Sequence, residues 1–155
     1  CFNGLYRVNS KGFFNAPIGR NAGTPNIVME DRIHEIHDYF QKNDITIMQG
    51  DYKVAVSGAK EGDLVYFDPP YDYDVEGAGF TTYTSTGFDR NNLKELCSLC
   101  NALKAKGVKV VLSNNDTDFV NDLFKGWSIE HVTATRMINC DGSARLNAKE
   151  VIIHG

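Results

Sequence analysis

Four consecutive residues of this 155-residue chain combine groups that suit one kind of chemistry: Asp68, Pro69, Pro70 and Tyr71. Two adjacent prolines fix their backbones and donate no hydrogen bonds, so the turn leaves carbonyl oxygens free to accept them. The Asp68 carboxylate adds further acceptors, and Tyr71 adds an aromatic face. Such an array can hold both N–H bonds of an exocyclic amino group while the planar ring that carries it stacks on the tyrosine. The tetrapeptide therefore predicts a site for an amino group on a planar ring.

Polar residues follow two other apolar runs in the same way. Asp51 follows one short β-branched run, and the segment 113–116, which ends at Asp116, follows another. Ligands of open α/β sheets bind beyond the carboxyl ends of the strands, so we expect the three polar ends to converge on one crevice. Taken alone, Asp51 and Asp116 are more often helix caps or turn formers.

The elements that must position these residues are predicted from the spacing of apolar side chains. Strands are expected over 45–48, 64–67, 108–112, 127–135 and 149–154, and helices over 27–42, 93–103 and 117–125. Their alternation indicates a mostly parallel, doubly wound α/β sheet. Glycine and aromatic residues interleaved over 1–25 predict a hairpin or loop arm, and a Gly142-centred loop precedes the last strand. The loop over 72–88 has a length that is uncommon unless it serves a function.

Composition limits the class of protein. With 42% hydrophobic residues the chain can bury one core, and its net charge of −4 excludes binding of nucleic acid by bulk electrostatics. Any such contact must be local. Three basic residues fall in the first twenty positions with no acidic residue among them: Arg7, Lys11 and Arg20. On charge alone, a solvated loop explains them.

The four cysteines, Cys1, Cys97, Cys100 and Cys140, are too few and too scattered for a secreted disulfide scaffold. Cys97 and Cys100 form a CxxC pair without a second pair, which favours core thiols over a zinc site. No apolar run reaches the eighteen residues of a membrane span. We expect a soluble, cytoplasmic protein that binds no metal and no membrane.

The tetrapeptide resembles the DPPY motif of amino-methyltransferases, and the flanking motifs are similar to those of the Dam-like (D12 class) DNA adenine-N6 methyltransferases. The similar segments occur in the family's order along nearly the whole chain: Phe-Asn-Gly-Leu-x-Arg-x-Asn at 2–9, Gly12, Phe-Asn-x-Pro at 14–17, Gly-Arg at 19–20, Phe-Thr-x-Tyr at 80–83, Phe-Asp at 88–89, Ser-Asn-x-Asp-Thr at 113–117 and Lys-Glu at 149–150.

The resemblance implies an incomplete Rossmann-like sheet of the methyltransferases that depend on S-adenosylmethionine. In the family's strand order, 3-2-1-4-5-7-6, the strand over 45–48 would be number three, so the chain would hold strands 3–7. Residues 1–25 would end a target-recognition hairpin region, and 26–155 would be the C-terminal part of the catalytic domain. The family's glycine-rich cofactor loop does not occur before Asp68. We therefore expect a missing N-terminal part of the same polypeptide, and little activity from this chain alone.

The resemblance also implies methyl transfer from S-adenosylmethionine to N6 of an adenine that is flipped out of double-stranded DNA, at a GATC-like site. Asp68 and the Pro69 carbonyl would accept hydrogen bonds from N6. Tyr71 would stack on the base, with Phe80 on its other face. Asp51, near the adenine ring of the cofactor, and Asp68 would lie on the cofactor side.

In the hairpin, the family's guanine-reading residue matches Arg7. Residues that enter the gap left by the flipped base or contact other bases match Phe2, Asn3, Leu5 and Pro17. Phosphate contacts are expected from Lys11 and Arg20. Without the resemblance, the phenylalanines would form a small arm core and Arg7 would be a surface charge.

Two other functions would explain the tetrapeptide, and the sequence favours neither. A DPPY-type methyltransferase for RNA or a protein amide nitrogen would more often carry Asn at the first motif position and lack the hairpin. A non-catalytic DNA-binding module would have no need of the acceptor array at Asp68. A generic α/β domain would not combine so many of these motifs.

Overall fold

The computed structural model describes residues 8–15, 29–73, 87–134 and 148–155. The chain divides into two compact units, residues 1–49 and 50–155, and each is described by itself. Several residues of the predicted site lie outside the described residues: Phe2, Asn3, Leu5, Arg7, Pro17, Arg20 and Phe80.

A tight turn with Lys11 near its tip is the first described feature of the first unit. Val8 and Phe14 form an antiparallel bridge across it, and the Gly12 amide donates to the Asn9 carbonyl at 2.9 Å. The Asn9 side chain accepts a hydrogen bond from the Lys11 amide at 2.9 Å, as turn asparagines often do. Gly12 has φ +80°, which glycine adopts without strain. Most of the arm predicted over 1–25 lies outside the described residues, so the arm stays a prediction.

Helix α1, Glu30–Lys42, confirms the helix predicted over 27–42. Acidic residues in its first turn and Lys42 in its last complement the helix dipole. Its apolar stripe lies on the surface: Met29, Ile33, Ile36 and Phe40 are each between 42% and 58% exposed. None of the described side chains buries this stripe.

The strand predicted over 45–48 is wrong: residues 44–49 have neither helix nor strand geometry. Ile45, Ile47 and Met48 are all exposed, Ile47 by 77%. β-branched residues favour extended backbone, but a strand forms only when a neighbouring strand satisfies its N–H and C=O groups. No strand in the described part of the chain pairs with these residues.

Among its described residues, the second unit contains a four-stranded sheet and three helices. The elements are α2 (Tyr52–Ala55), β1 (Leu64–Phe67), α3 (Arg90–Ala105), β2 (Lys109–Asn115), α4 (Asp118–Leu123), β3 (Ser128–Ala134) and β4 (Ala148–His154). The strand order is β1-β2-β4-β3. The remaining strands and helices that were predicted from periodicity are thereby confirmed, with bounds that differ by a few residues.

The prediction of a mostly parallel sheet is wrong for the described strands. β1 and β2 are parallel, whereas β4 runs antiparallel to both β2 and β3. The prediction assumed that a helix crosses over between each pair of strands. The sequence between β3 and β4 lacks helical periodicity, and strands without a helical crossover commonly pair antiparallel.

One face of the sheet packs against α3. Asp89 caps this helix in a capping box with Asn92, and the chain leaves it through Gly107 at φ +80°. The buried core unites side chains of helices and strands: Phe67, Leu93, Leu96, Cys97, Cys100, Leu103, Val108, Val110, Leu112, Val120, Phe124, Val151 and Ile153. Each large apolar side chain buried here contributes about 1.5–3 kcal/mol.

The opposite face of the sheet is open where the structure describes it. Leu64 and Tyr66 of β1 are 65% and 60% exposed, and Ile152 of β4 is 37% exposed. The described part of the sheet is therefore covered by helices on one side, not wound on both. None of the described helices is long and apolar enough to cross a membrane.

The CxxC thiols belong to this core. Cys97 and Cys100 are free and buried, 6% and 0% exposed, as the single CxxC pair predicted. Burial raises the pKa of both thiols, that of Cys100 to about 12. These groups are packing residues.

Candidate active site

The site is built where β1 and β2 end side by side. Phe67 pairs in register with Leu112, so Asp68 and Ser113 are the next residues of two parallel strands. Both follow a residue buried against the helices, and alternation turns their side chains to the opposite, open face. There the Ser113 hydroxyl donates a hydrogen bond to Asp68 Oδ1 at 2.9 Å. The convergence expected for these two strand ends is confirmed.

Two tyrosines lie against the same serine. The Tyr66 hydroxyl is 2.9 Å from Ser113 Oγ. Tyr71, half-buried, has a pKa raised chiefly by burial, and a hydrogen bond with Ser113 offsets part of that rise. Ser113 thus links Tyr66 to Asp68, the acceptor predicted from sequence, while Tyr71, the predicted aromatic face, follows in the same turn.

The residue after the tetrapeptide is tied down by what we call the Asp72 cluster: Asp72, Arg90, Asn114 and Thr117. Arg90 Nε and Nη2 donate to the two carboxylate oxygens of Asp72 at 2.8 and 2.9 Å. Thr117 Oγ1 donates to Asp72 Oδ2 at 2.8 Å, and Asn114 Oδ1 accepts from the Asp72 amide at 2.8 Å. Asp72 is only 8% exposed. A buried carboxylate requires such partners because it has lost its hydration.

The partners of Asp72 are themselves held by other elements. Arg90 lies at the first residue of α3, and its guanidinium stacks on the ring of Phe119 at 4.6 Å. Thr117 caps α4 by accepting a hydrogen bond from the Val120 amide. The Asp72 cluster therefore fixes the exit of the tetrapeptide to the starts of two helices.

Sequence reasoning missed Asp72 and Arg90. One signal was available: a basic residue in the first turn of a helix opposes the helix dipole, so Arg90 needed an acidic partner. The sequence does not say which acidic residue that partner is.

Asp116 has a structural role. Its carboxylate accepts from Asn121 Nδ2 at 2.8 Å and lies 3.0 Å from His131 Nδ1. The Asn121 hydrogen bond, followed by that of His131, lowers the pKa of Asp116 below 3.8. These contacts tie the end of β2 to α4 and β3.

Asp51 caps α2: one of its carboxylate oxygens accepts from the Lys53 amide at 2.8 Å. The next residue, Tyr52, packs edge-on against Phe67 with ring centroids 6.3 Å apart. Since Phe67 precedes Asp68, this contact brings the start of α2 to the same end of the sheet as the tetrapeptide. No described hydrogen bond joins Asp51 to the tetrapeptide itself.

A mixed α/β sheet with a carboxylate and an aromatic ring at the carboxyl end of β1 is consistent with the methyltransferase fold. The model of the D12 class N6 adenine-specific DNA methyltransferase family matches residues 1–138. The chain belongs to this family.

Similar proteins carry related names. The chain is 43% identical over 152 residues to the type II methyltransferase M1.LlaDCHI of Lactococcus lactis, covering 98% of this chain and 53% of that protein. It is 37% identical to the type II methyltransferase M.MjaIII of Methanocaldococcus jannaschii, over 94% and 50% of the two chains. It is 30% identical to a DNA adenine methylase of Vibrio cholerae, over 97% and 53%. The chain spans about half the length of these curated relatives.

Proposed function

We propose that the polypeptide containing this chain is a site-specific DNA methyltransferase that transfers a methyl group from S-adenosylmethionine to N6 of adenine in double-stranded DNA. The observation that carries the proposal is the Asp68 carboxylate, oriented by Ser113 beside Tyr71 at the end of β1. Family membership, and relatives named as adenine methylases, support adenine as the base. A DNA substrate places the activity in the cytoplasm.

The acceptor role of Asp68 follows from its surroundings. Its side chain is exposed beyond the strand, one oxygen accepts from Ser113, and the other has no described hydrogen bond, which suits it to an N–H donor of the substrate. The Pro69 carbonyl would take the second N–H bond of N6. Both interactions draw the nitrogen lone pair out of conjugation, so no base has to remove a proton before transfer. The new N–C bond would form as the bond between the methyl carbon and the sulfur of bound S-adenosylmethionine breaks, with its electron pair left on sulfur, and the cationic N6 would then release one proton to solvent.

Stacking would hold the base. The Tyr71 ring is half-buried and follows Asp68 in the same turn, which supports the proposal that its face receives a flipped adenine. Phe80 is proposed for the opposite face. Flipping itself requires a few kcal/mol of unstacking energy.

S-adenosylmethionine supplies an electrophilic methyl group when it is bound. Of the described residues, we propose that Asp51 and Asp68 face it. The capping hydrogen bond occupies one carboxylate oxygen of Asp51, and no described hydrogen bond occupies the other. The second oxygen can therefore accept a hydrogen bond from an amino or hydroxyl group of a ligand.

The strand order supports a finer assignment of the fold. The order β1-β2-β4-β3 agrees with positions 4-5-7-6 of the family's sheet, so we propose β1 to β4 as strands four to seven. We propose residues 1–25 as the end of a target-recognition hairpin region and 26–155 as catalytic. The exposed Lys11 at a tight turn suits a phosphate contact. We also propose a GATC-like target, read by Phe2, Asn3, Leu5, Arg7, Pro17 and Arg20.

Asp68→Ala tests the proposal in the polypeptide as encoded. Incorporation of labelled methyl groups into duplex DNA should be lost, whereas duplex binding should change little because most of the proposed DNA contacts come from residues 2–20 and not from Asp68. Asp122→Ala removes an exposed carboxylate of α4 and should methylate like the wild type. Turnover by Asp68→Ala would refute the acceptor role. A wild-type protein that methylates structured RNA and not duplex DNA would refute the choice of substrate.

A further inference from the structure

Ser113 stands between the proposed acceptor carboxylate and two tyrosines, and its chemistry fixes the direction of each hydrogen bond. An ionised carboxylate carries no proton, so Ser113 must be the donor to Asp68 Oδ1 at 2.9 Å. A hydroxyl has one proton. The Tyr66 hydroxyl, 2.9 Å away, must therefore donate to Ser113 Oγ. The result is a directed chain of hydrogen bonds from Tyr66 through Ser113 to Asp68.

Ser113 and Asp68 differ in how firmly their surroundings hold them. Ser113 is 8% exposed and lies in β2, which is paired on one side with β1 and on the other with β4. Asp68 is exposed and follows the last residue of β1, where nothing in the strand ladder restricts its side-chain rotation. A hydrogen bond to a charged acceptor, given by a donor on the rigid strand, restricts that rotation.

We infer that Ser113 is a positioning residue for methyl transfer: it holds Asp68 by one carboxylate oxygen so that the other is presented to the amino group of the target base. The inference deepens the proposed function and rests on it. Ser113 does not touch the reacting atoms, and its effect passes through Asp68.

Three substitutions at Ser113 test the inference in the polypeptide as encoded. Ser113→Ala removes the donor, Ser113→Cys keeps the size with a much weaker donor, and Ser113→Thr keeps the hydroxyl. The measurements are the single-turnover methyl transfer rate at saturating S-adenosylmethionine and duplex DNA, and the Kd for the duplex. The matched control is Ser98→Ala, which removes an exposed hydroxyl of α3 that bonds only within its own helix.

We expect Ser113→Ala and Ser113→Cys to slow the transfer step roughly tenfold or more, as the loss of a hydrogen bond to a charged group implies. The Kd for DNA should stay within about twofold, because the binding surface is elsewhere. Ser113→Thr should recover most of the rate. A merely structural role would lower stability and leave the transfer rate of the folded protein unchanged.

Each outcome separates the inference from the function on which it rests. Wild-type rates in Ser113→Ala or Ser113→Cys, with an active parent protein, overturn the inference alone. So does a Ser113→Thr protein as slow as Ser113→Ala. If Ser113→Ala does not fold, the single-turnover rate of the isosteric Ser113→Cys protein tests the inference instead. A parent protein that methylates no DNA under any condition overturns the proposed function itself.

Discussion

The burial of the two charged side chains in the Asp72 cluster predicts which single substitution, Arg90→Ala or Asp72→Ala, lowers the free energy of unfolding more. The Asp72 side chain is 5% exposed, and that of Arg90 is 46% exposed. Removing one member of a buried pair costs about 3–5 kcal/mol, most of it the penalty of a charge left without a partner. In this pair the penalty is unequal, because water can resolvate Arg90 but cannot reach Asp72.

Arg90→Ala should therefore lower the free energy of unfolding by about 3 kcal/mol, since it leaves Asp72 buried with only Thr117 and backbone contacts. Asp72→Ala should lower it by about 2 kcal/mol, because the stranded charge is half exposed. The double variant should be no less stable than Arg90→Ala, because removing Asp72 as well eliminates the unpaired buried carboxylate. The two single effects would then be far from additive.

Urea unfolding of the 155-residue chain, followed by the fluorescence of its single tryptophan, Trp127, measures these effects. The matched control is the exposed pair Lys53–Glu95, 2.8 Å apart with side chains 48% and 57% exposed. Glu95→Ala should change the unfolding free energy by less than about 1 kcal/mol. If Arg90→Ala is less destabilising than Asp72→Ala, or if the two effects add, the burial argument is refuted.

Two further predictions concern acid and thiols. Because the hydrogen bonds from Asn121 and His131 lower the pKa of Asp116 below 3.8, its stabilisation should be complete above that pH and lost as the pH falls through the folded value. The difference in unfolding free energy between wild type and Asp116→Asn should therefore shrink in acid; a difference that grows would contradict the assignment. Cys97 and Cys100, with raised thiol pKa values, should resist alkylation at pH 8 until urea unfolds the chain, as mapped by mass spectrometry; rapid labelling of the native chain would refute their burial.

Elements whose apolar pattern is local were predictable from the sequence. Helix α3 and strand β2 each contain enough apolar residues to be predicted from their own segment, without knowledge of their neighbours. The strand over 45–48 was predicted wrongly, because a short β-branched run becomes a strand only when another strand pairs with it, and local sequence does not show whether such a strand is present. The direction of β4 was predicted wrongly for the same reason, since the sequence of a strand does not determine which neighbours it pairs with or in which direction.

The same distinction between local and non-local information applies to the candidate site. Asp68 and Tyr71 were predicted from their own chemistry, and their roles stay a prediction. The capping role expected for Asp51 is confirmed, whereas Asp116 bonds Asn121 and His131, and Thr117 caps α4. The contact of Ser113 with Asp68 required the register of β1 against β2. The pairing of Asp72 with Arg90 joins residues far apart in the chain, so it could be read only from coordinates.

The Asp72–Arg90 pair also joins the two ends of the segment that separates them, residues 73–89. Because the entropy of closing a loop grows only slowly with its length, we expect a change of length between Tyr73 and Gly87 to cost the rest of the unit little stability. The Asp72 cluster consists of described residues on either side of this sequence, so it should keep the exit of the tetrapeptide in place while the sequence between them varies.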